Sequence, residues 1–167
     1  NNKIYKGKYG LNNIEPKEEV CDHSIYRIWS MTKPIIAVAA LQIVEENIIN
    51  LQDPITEYLP EFNDLQVMIK EDGEITDLEK IKNQPTIQDL FLHTAGFSYN
   101  FLADPVGKEY DKRRLFNSDT TTLEEEMKIL SKIPLLFQPN SSWRYSVSMD
   151  VLARITEIVE SDSLQNI

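Results

Sequence analysis

From Ile35 to Leu41 the chain reads Ile-Ile-Ala-Val-Ala-Ala-Leu, an unbroken apolar run with Pro34 directly ahead of it and Glu45-Glu46 one turn behind. Proline is accommodated in the first turn of an α-helix, where its missing N–H has no intrahelical partner to lose, and it disrupts any later turn. The run therefore predicts a helix from about Met31 to Asn47 that starts close to Ser30. Ile35, Ile36, Val38, Leu41, Ile43 and Val44 occupy most of its circumference, which predicts burial between layers rather than a place on the surface.

Two reactive side chains stand at the N-terminal end of this helix. Ser30 and Lys33 are three positions apart, so in a first turn they share a face and their hydroxyl and amine come within hydrogen-bond reach. A free hydroxyl is a weak nucleophile, and an amine whose pKa is depressed by burial can take its proton. The unpaired N–H groups and positive dipole end of the helix favour negative charge developing there. Taken alone the pattern is weak: a capping serine followed by a solvated lysine explains it more readily.

The surroundings are more specific. Ser30-Met31-Thr32-Lys33 with its apolar helix resembles the S-x-x-K motif of penicillin-binding proteins and serine β-lactamases, whose Ser is acylated and whose Lys assists proton transfer. Ile25-Tyr26-Arg27-Ile28-Trp29 ahead of the serine and Pro34 behind the lysine resemble the esterase branch related to class C enzymes. Leu90-Phe91-Leu92-His93-Thr94-Ala95-Gly96 resembles the Leu-x-x-His-Thr-x-Gly signature of that family, and the stretch from Ile133 to Val147 resembles its second signature, with a Pro-bounded turn and a Tyr-Ser-x step. By position the resemblance gives Tyr145 a place facing Ser30 and Lys33. A phenol beside an ammonium suits relaying the serine proton to a leaving group.

The resemblance implies an α+β, β-lactamase/transpeptidase-like fold. Here it would be one partial domain over residues 1–167, with an N-terminal strand and loop in 1–27, a mostly helical region in 28–167, and the C-terminal strands missing. It implies a serine hydrolase that forms an acyl-enzyme on Ser30 with Lys33 and Tyr145 moving the proton, foremost a carboxylesterase for small acyl esters. A D-alanyl-D-alanine carboxypeptidase, a β-lactamase, or a non-catalytic binding module of the same fold are the alternatives. Where penicillin-binding proteins carry Tyr-x-Asn, this chain has Tyr145-Ser146-Val147, and valine offers no amide to an acylamino group, which favours a simple ester. Members of that family are roughly twice as long, and their Lys-Thr-Gly or His-x-Gly motif has no counterpart here, so the activity of this polypeptide alone is left open.

Elsewhere the residues carry less chemistry. Asn2 to Tyr9 predicts a strand near a sheet edge, and Leu11 to His23 a connecting loop. Cys21, His23 and His93 are too few and too scattered for a metal site. The charged stretch 61–84 reads as a surface excursion, and 97–118 as a loop whose Phe97, Tyr99 and Phe101 either line a cleft or fill the core. Thr86 with Asp89 and Thr122 with Glu125 predict capped helix starts, and Ser148 the cap of a last helix with an apolar stripe through Val151, Leu152, Ile155, Ile158 and Val159. His93 reads as a structural, hydrogen-bonded histidine. Lys112-Arg113-Arg114 reads as a solvated face.

The net charge of −10 argues against nucleic acid or an anionic membrane surface as partner. No apolar run reaches membrane-spanning length, and a single cysteine excludes an internal disulfide. The expected partner is a small ester or amide substrate. The implied chemistry needs neither a metal nor an organic cofactor.

Overall fold

A computed structural model of the chain describes residues 5–117 and 121–167. They fall into two compact units, residues 1–32 and 33–167.

In the first unit the strands lie later than the sequence suggests. Residues 5–9 are irregular, and β1 (Leu11–Asn13) pairs antiparallel with β2 (Glu18–Glu19) inside the stretch read as a loop. The remainder of the expected strand, up to Ile4, falls outside the described residues. Lys6 and Lys8 both reach Asp22, at 2.6 and 3.3 Å. Residues Trp29–Met31 form a single 3-10 turn.

The second unit begins one residue into α1 (Thr32–Glu45), whose Pro34 lies in the first turn as its chemistry requires. Burial is narrower than the apolar composition implies. Ile36, Ala40 and Ile43 face the core, whereas Ile35, Val38 and Leu41 are exposed. A 3.6-residue period places only the i, i+4, i+7 stripe against one neighbouring layer.

Two 3-10 turns, Ile55–Glu57 and Pro60–Phe62, lead into β3 (Gln66–Met68), which pairs antiparallel with β4 (Leu78–Lys80). This corrects the reading of 61–84 as a mere excursion. Phe62, Leu65, Val67 and Met68 are buried, and the Met68 N–H donates to the Leu135 carbonyl at 2.9 Å. The apolar residues were hidden in the sequence among charges that occupy the solvent side of the hairpin.

Helix α2 (Ile87–Leu92) starts at the expected capping box: Asp89 N–H donates to Thr86 Oγ1 at 3.2 Å, and Thr86 N–H returns to Asp89 Oδ2 at 2.9 Å. It ends where His93 turns left-handed, at φ +57°. Helix α3 (Pro105–Lys112) occupies part of the stretch read as loop, with Asp104 as N-cap and Pro105 in the first turn. Lys112, Arg113 and Arg114 are exposed, and the first two pair with Glu109. Helix α4 (Leu123–Leu130) begins at the Thr122/Glu125 capping box. Helix α5 (Ser148–Glu160) packs against α2 and α4 through a stripe that includes Val151, Leu152 and Ile155. Its cap is Val147, not Ser148, because the Ser148 hydroxyl is engaged 2.8 Å from Ser146 Oγ.

What positions the site is a ladder between the two segments with family-like signatures. Arg144 N–H donates to His93 O at 3.0 Å, Asn140 N–H to Thr94 O at 3.0 Å, Leu136 N–H to Gly96 O at 2.8 Å, and Val147 N–H to Ser98 O at 3.1 Å. Gly96 has φ +95°, and a Cβ there would run into the Phe137 carbonyl oxygen. Only glycine lets the two segments approach this closely.

Candidate active site

Lys33 is the second residue of α1, and its half-buried side chain reaches two aromatic rings from distant parts of the chain. Its Nζ donates to Tyr99 Oη at 3.4 Å and lies 5.2 Å from the Tyr99 ring centre and 5.1 Å from the Tyr145 ring centre. The two tyrosine rings stack at 5.7 Å with an interplanar angle of 13°. A cation over two parallel π-faces is held by their quadrupoles as well as by hydrogen bonds. Lys33 and Tyr145 are thus brought together. Ser30 lies in the first unit, exposed, in the 3-10 turn Trp29–Met31, directly after Trp29 with its strained φ of +48°.

The charge on Lys33 differs from the expectation of a neutral amine. Burial pulls its pKa down, but a hydrogen bond with Tyr145 and the fields of Tyr99 and Asp150 outweigh it, so the net shift is upward from the ordinary lysine value. Lys33 therefore rests as an ammonium. Asp150, the third residue of α5, has no assigned role in the sequence reading. Its Oδ2 is buried without a hydrogen-bond partner. Burial pushes its carboxyl up to about 6 against the opposing pull of Lys33. Its sequence signal was slight: an aspartate between Met149 and Val151 at the start of an otherwise buried stripe.

His93 also packs against Tyr145, with ring centres 5.1 Å apart and the rings tilted by 41°. Its Nδ1 accepts the Ser146 backbone N–H at 3.3 Å, which leaves the ring proton of the neutral imidazole on Nε2. Burial, and then the Lys33 charge, hold its pKa below the usual histidine value. Through this hydrogen bond the ring anchors the backbone of the residue after Tyr145.

The three aromatic residues of the 97–101 segment separate cleanly. Phe97 is core and meets Phe62 edge-on at 6.0 Å, Tyr99 faces Lys33, and Phe101 is exposed and stacks on Tyr99 at 4.5 Å. Val147 is wholly buried. Among the described residues no group of three or more His, Cys, Asp or Glu is arranged to hold a metal ion, and no helix is long and apolar enough to cross a membrane. Chemically, the cluster can hold a proton on nitrogen and pass it between that nitrogen and either of two phenol oxygens.

These features coincide with a family assignment: the chain belongs to the beta-lactamase family, whose model matches residues 1–167. It is 34% identical over 161 residues to Esterase EstB of Burkholderia gladioli, covering 92% of this chain and 37% of that protein. Among solved structures it is similar to EstCE1, a hydrolase with promiscuous acyltransferase activity, with a TM-score of 0.76 and 28% identity over 94% of this chain and 39% of that one. The penicillin-binding protein of Bacillus halodurans shares the fold, with a TM-score of 0.66 at 19% identity over 94% of this chain and 41% of its own. The fold is thus β-lactamase/transpeptidase-like, and the chain spans about two fifths of the length of the relatives it matches.

Proposed function

We propose that the protein is a serine hydrolase that forms an acyl-enzyme on Ser30 and acts as a carboxylesterase on small acyl esters. The observation that carries the reading is Lys33 Nζ seated over the Tyr99 and Tyr145 rings, three residues beyond an exposed serine. In the first half-reaction Ser30 Oγ bonds to the ester carbonyl carbon while its proton passes to the Lys33–Tyr145 pair. The tetrahedral intermediate collapses, the bond from carbon to the alkoxy oxygen breaks, and the leaving alcohol takes that proton. Water then adds to the acyl carbon, gives a proton to the same pair, and releases the carboxylic acid as the proton returns to Ser30. An alcohol in place of water makes the product a new ester.

Because Lys33 rests as an ammonium, the reactive form is the one in which the pair has lost a proton. Turnover then rises with pH. The resemblance to an enzyme named as an esterase supports the ester substrate, as does Val147 where an amide-bearing side chain would serve a β-lactam.

The test is active-site labelling of the full-length protein with a fluorophosphonate, alongside turnover of p-nitrophenyl acetate. Wild type is expected to label and to hydrolyse the ester, and Ser30→Ala to do neither. A wild type that neither labels nor turns over ester supports the binding-module alternative. Penicillin labelling of Ser30 with negligible ester turnover moves the substrate to the β-lactams.

A further inference from the structure

Phe101 is a large apolar side chain left 66% exposed, and a lone exposed ring is ordinary on a protein surface. Its surroundings set it apart. A run of stacked rings leads from Phe101 to Tyr99, at 4.5 Å and 29°, and from Tyr99 to Tyr145, at 5.7 Å and 13°. Tyr99 and Tyr145 hold the Lys33 ammonium, which donates to Tyr99 Oη at 3.4 Å. Phe101 is thus the solvent end of a row of π-faces whose other end belongs to the Lys33–Tyr145 pair.

The turn that carries Phe101 is tied down. Leu102 N–H donates to the Tyr99 carbonyl at 3.0 Å, which closes a turn over residues 99–102 with Phe101 inside it. Asn100 Nδ2 donates to the Leu115 carbonyl at 2.9 Å. Gly107 of α3 lets the turn lie directly on the helix, since a Cβ there would stand 2.5 Å from the Tyr99 carbonyl oxygen and 2.6 Å from that of Leu102. The ring is therefore presented in place before a ligand arrives, and little ordering entropy is lost when one stacks on it.

We propose that the open face of Phe101 is a substrate subsite for a planar aromatic ring, which makes Phe101 a specificity-determining residue and aromatic esters the preferred substrates. The proposal rests on the hydrolase reading for the ester, while the ring-on-ring contact is separable from turnover. An aliphatic group of equal bulk covers the same area, but only an aromatic ring matches the quadrupole of the stack. The contact is made in the ground state and the transition state alike, so the preference is carried by KM rather than kcat. Trp143 is also exposed, but it meets His93 edge-on at 6.4 Å and 75° and does not continue the stack.

Hydrolysis of two matched substrate pairs by the full-length protein tests this: benzyl acetate against cyclohexylmethyl acetate, and methyl phenylacetate against methyl cyclohexylacetate. Within each pair the bulk and the leaving alcohol are alike, and only the aromatic face differs. Wild type is expected to favour the aromatic member of one pair by about two- to tenfold in kcat/KM, through a lower KM. The pair that shows it assigns the ring to the alcohol or the acyl side. Phe101→Leu is expected to bring the ratio close to one, and Phe101→Tyr, which keeps the face, to hold it. A wild-type ratio near one in both pairs overturns the proposal. So does a preference that survives Phe101→Leu, with its loss in Trp143→Leu assigning the ring to Trp143 instead. Binding gives a readout without turnover: in Ser30→Ala, benzyl acetate or methyl phenylacetate is expected to shift the NMR signals of the Phe101 ring, and their cyclohexyl counterparts to leave them in place. Signals unmoved by both aromatic esters overturn the subsite, whereas failure of Ser30 to label with fluorophosphonate sinks the hydrolase reading alone.

Discussion

The Ser146 backbone N–H donates to His93 Nδ1 at 3.3 Å, and the Ser146 hydroxyl lies 3.2 Å from the same nitrogen. This contact ties the C-terminal end of α2 to the residue after Tyr145, so the imidazole holds the backbone beside the tyrosine.

Replacing His93 with Ala is therefore expected to loosen Tyr145 rather than remove a proton carrier. It strands the Ser146 amide and hydroxyl, at a loss of about 1–3 kcal/mol in stability, measurable by urea denaturation. The fall should appear in kcat with KM little changed. The folded state favours the neutral imidazole, since its pKa is lowered by burial and by Lys33. The associated stability is complete above the unfolded value near 6.5 and is lost as pH falls through the native pKa. Denaturation midpoints of wild type and His93→Gln are expected to differ in their acid dependence over that interval.

Asp150 works in the opposite sense. Its folded pKa is raised from 3.8 to about 6, so its contribution is complete below the unfolded value and is lost as pH rises through about 6. Ionising it in place is expected to remove on the order of 3 kcal/mol. Asp150→Asn should gain stability relative to wild type as the pH rises from 4 to 7 and hold that gain beyond it, as read by thermal denaturation across a pH series.

Gly96→Ala is expected to be among the most damaging changes in the chain. The position has φ +95°, and the new Cβ would run into the Phe137 carbonyl and come within 3.1 Å of Leu135 Cβ, both in a segment that pairs with it. Left-handed strain and a backbone clash together exceed about 2 kcal/mol. Chemical denaturation checks the loss, and a stability within experimental error of wild type would contradict the close approach.

Asp104 links three parts of the site region. Its carboxylate accepts the Gly107 N–H at 2.8 Å as the cap of α3, accepts the Ser98 hydroxyl at 2.6 Å, and lies 3.7 Å from the guanidinium of Arg144, the residue before Tyr145. Asp104→Ala is expected to lower stability by about 1–2 kcal/mol through the lost cap. Asp104→Asn retains an acceptor for the cap but not the charge facing Arg144. Comparing the denaturation midpoints and kcat of the two variants separates capping from the placement of Arg144.

The local devices were legible in the residues themselves. Pro34 set the start of α1, and Thr86 with Asp89 and Thr122 with Glu125 marked the first turns of α2 and α4, because a cap is made between residues three apart and needs no distant partner. Tertiary structure alone decided the rest. The β3–β4 hairpin is fixed by the Leu135 strand pairing and by burial of Val67 and Met68, contacts that a window over 61–84 does not contain. The exposed side of α1 depends on which layers meet it, not on its composition. The ionisation of Lys33 depends most of all on distance in space, since Tyr99, Tyr145 and Asp150 come from three later parts of the chain to outweigh its burial. Short-range hydrogen bonds are written in the order of residues, whereas the field at a buried charge is a sum over whatever the fold brings near it.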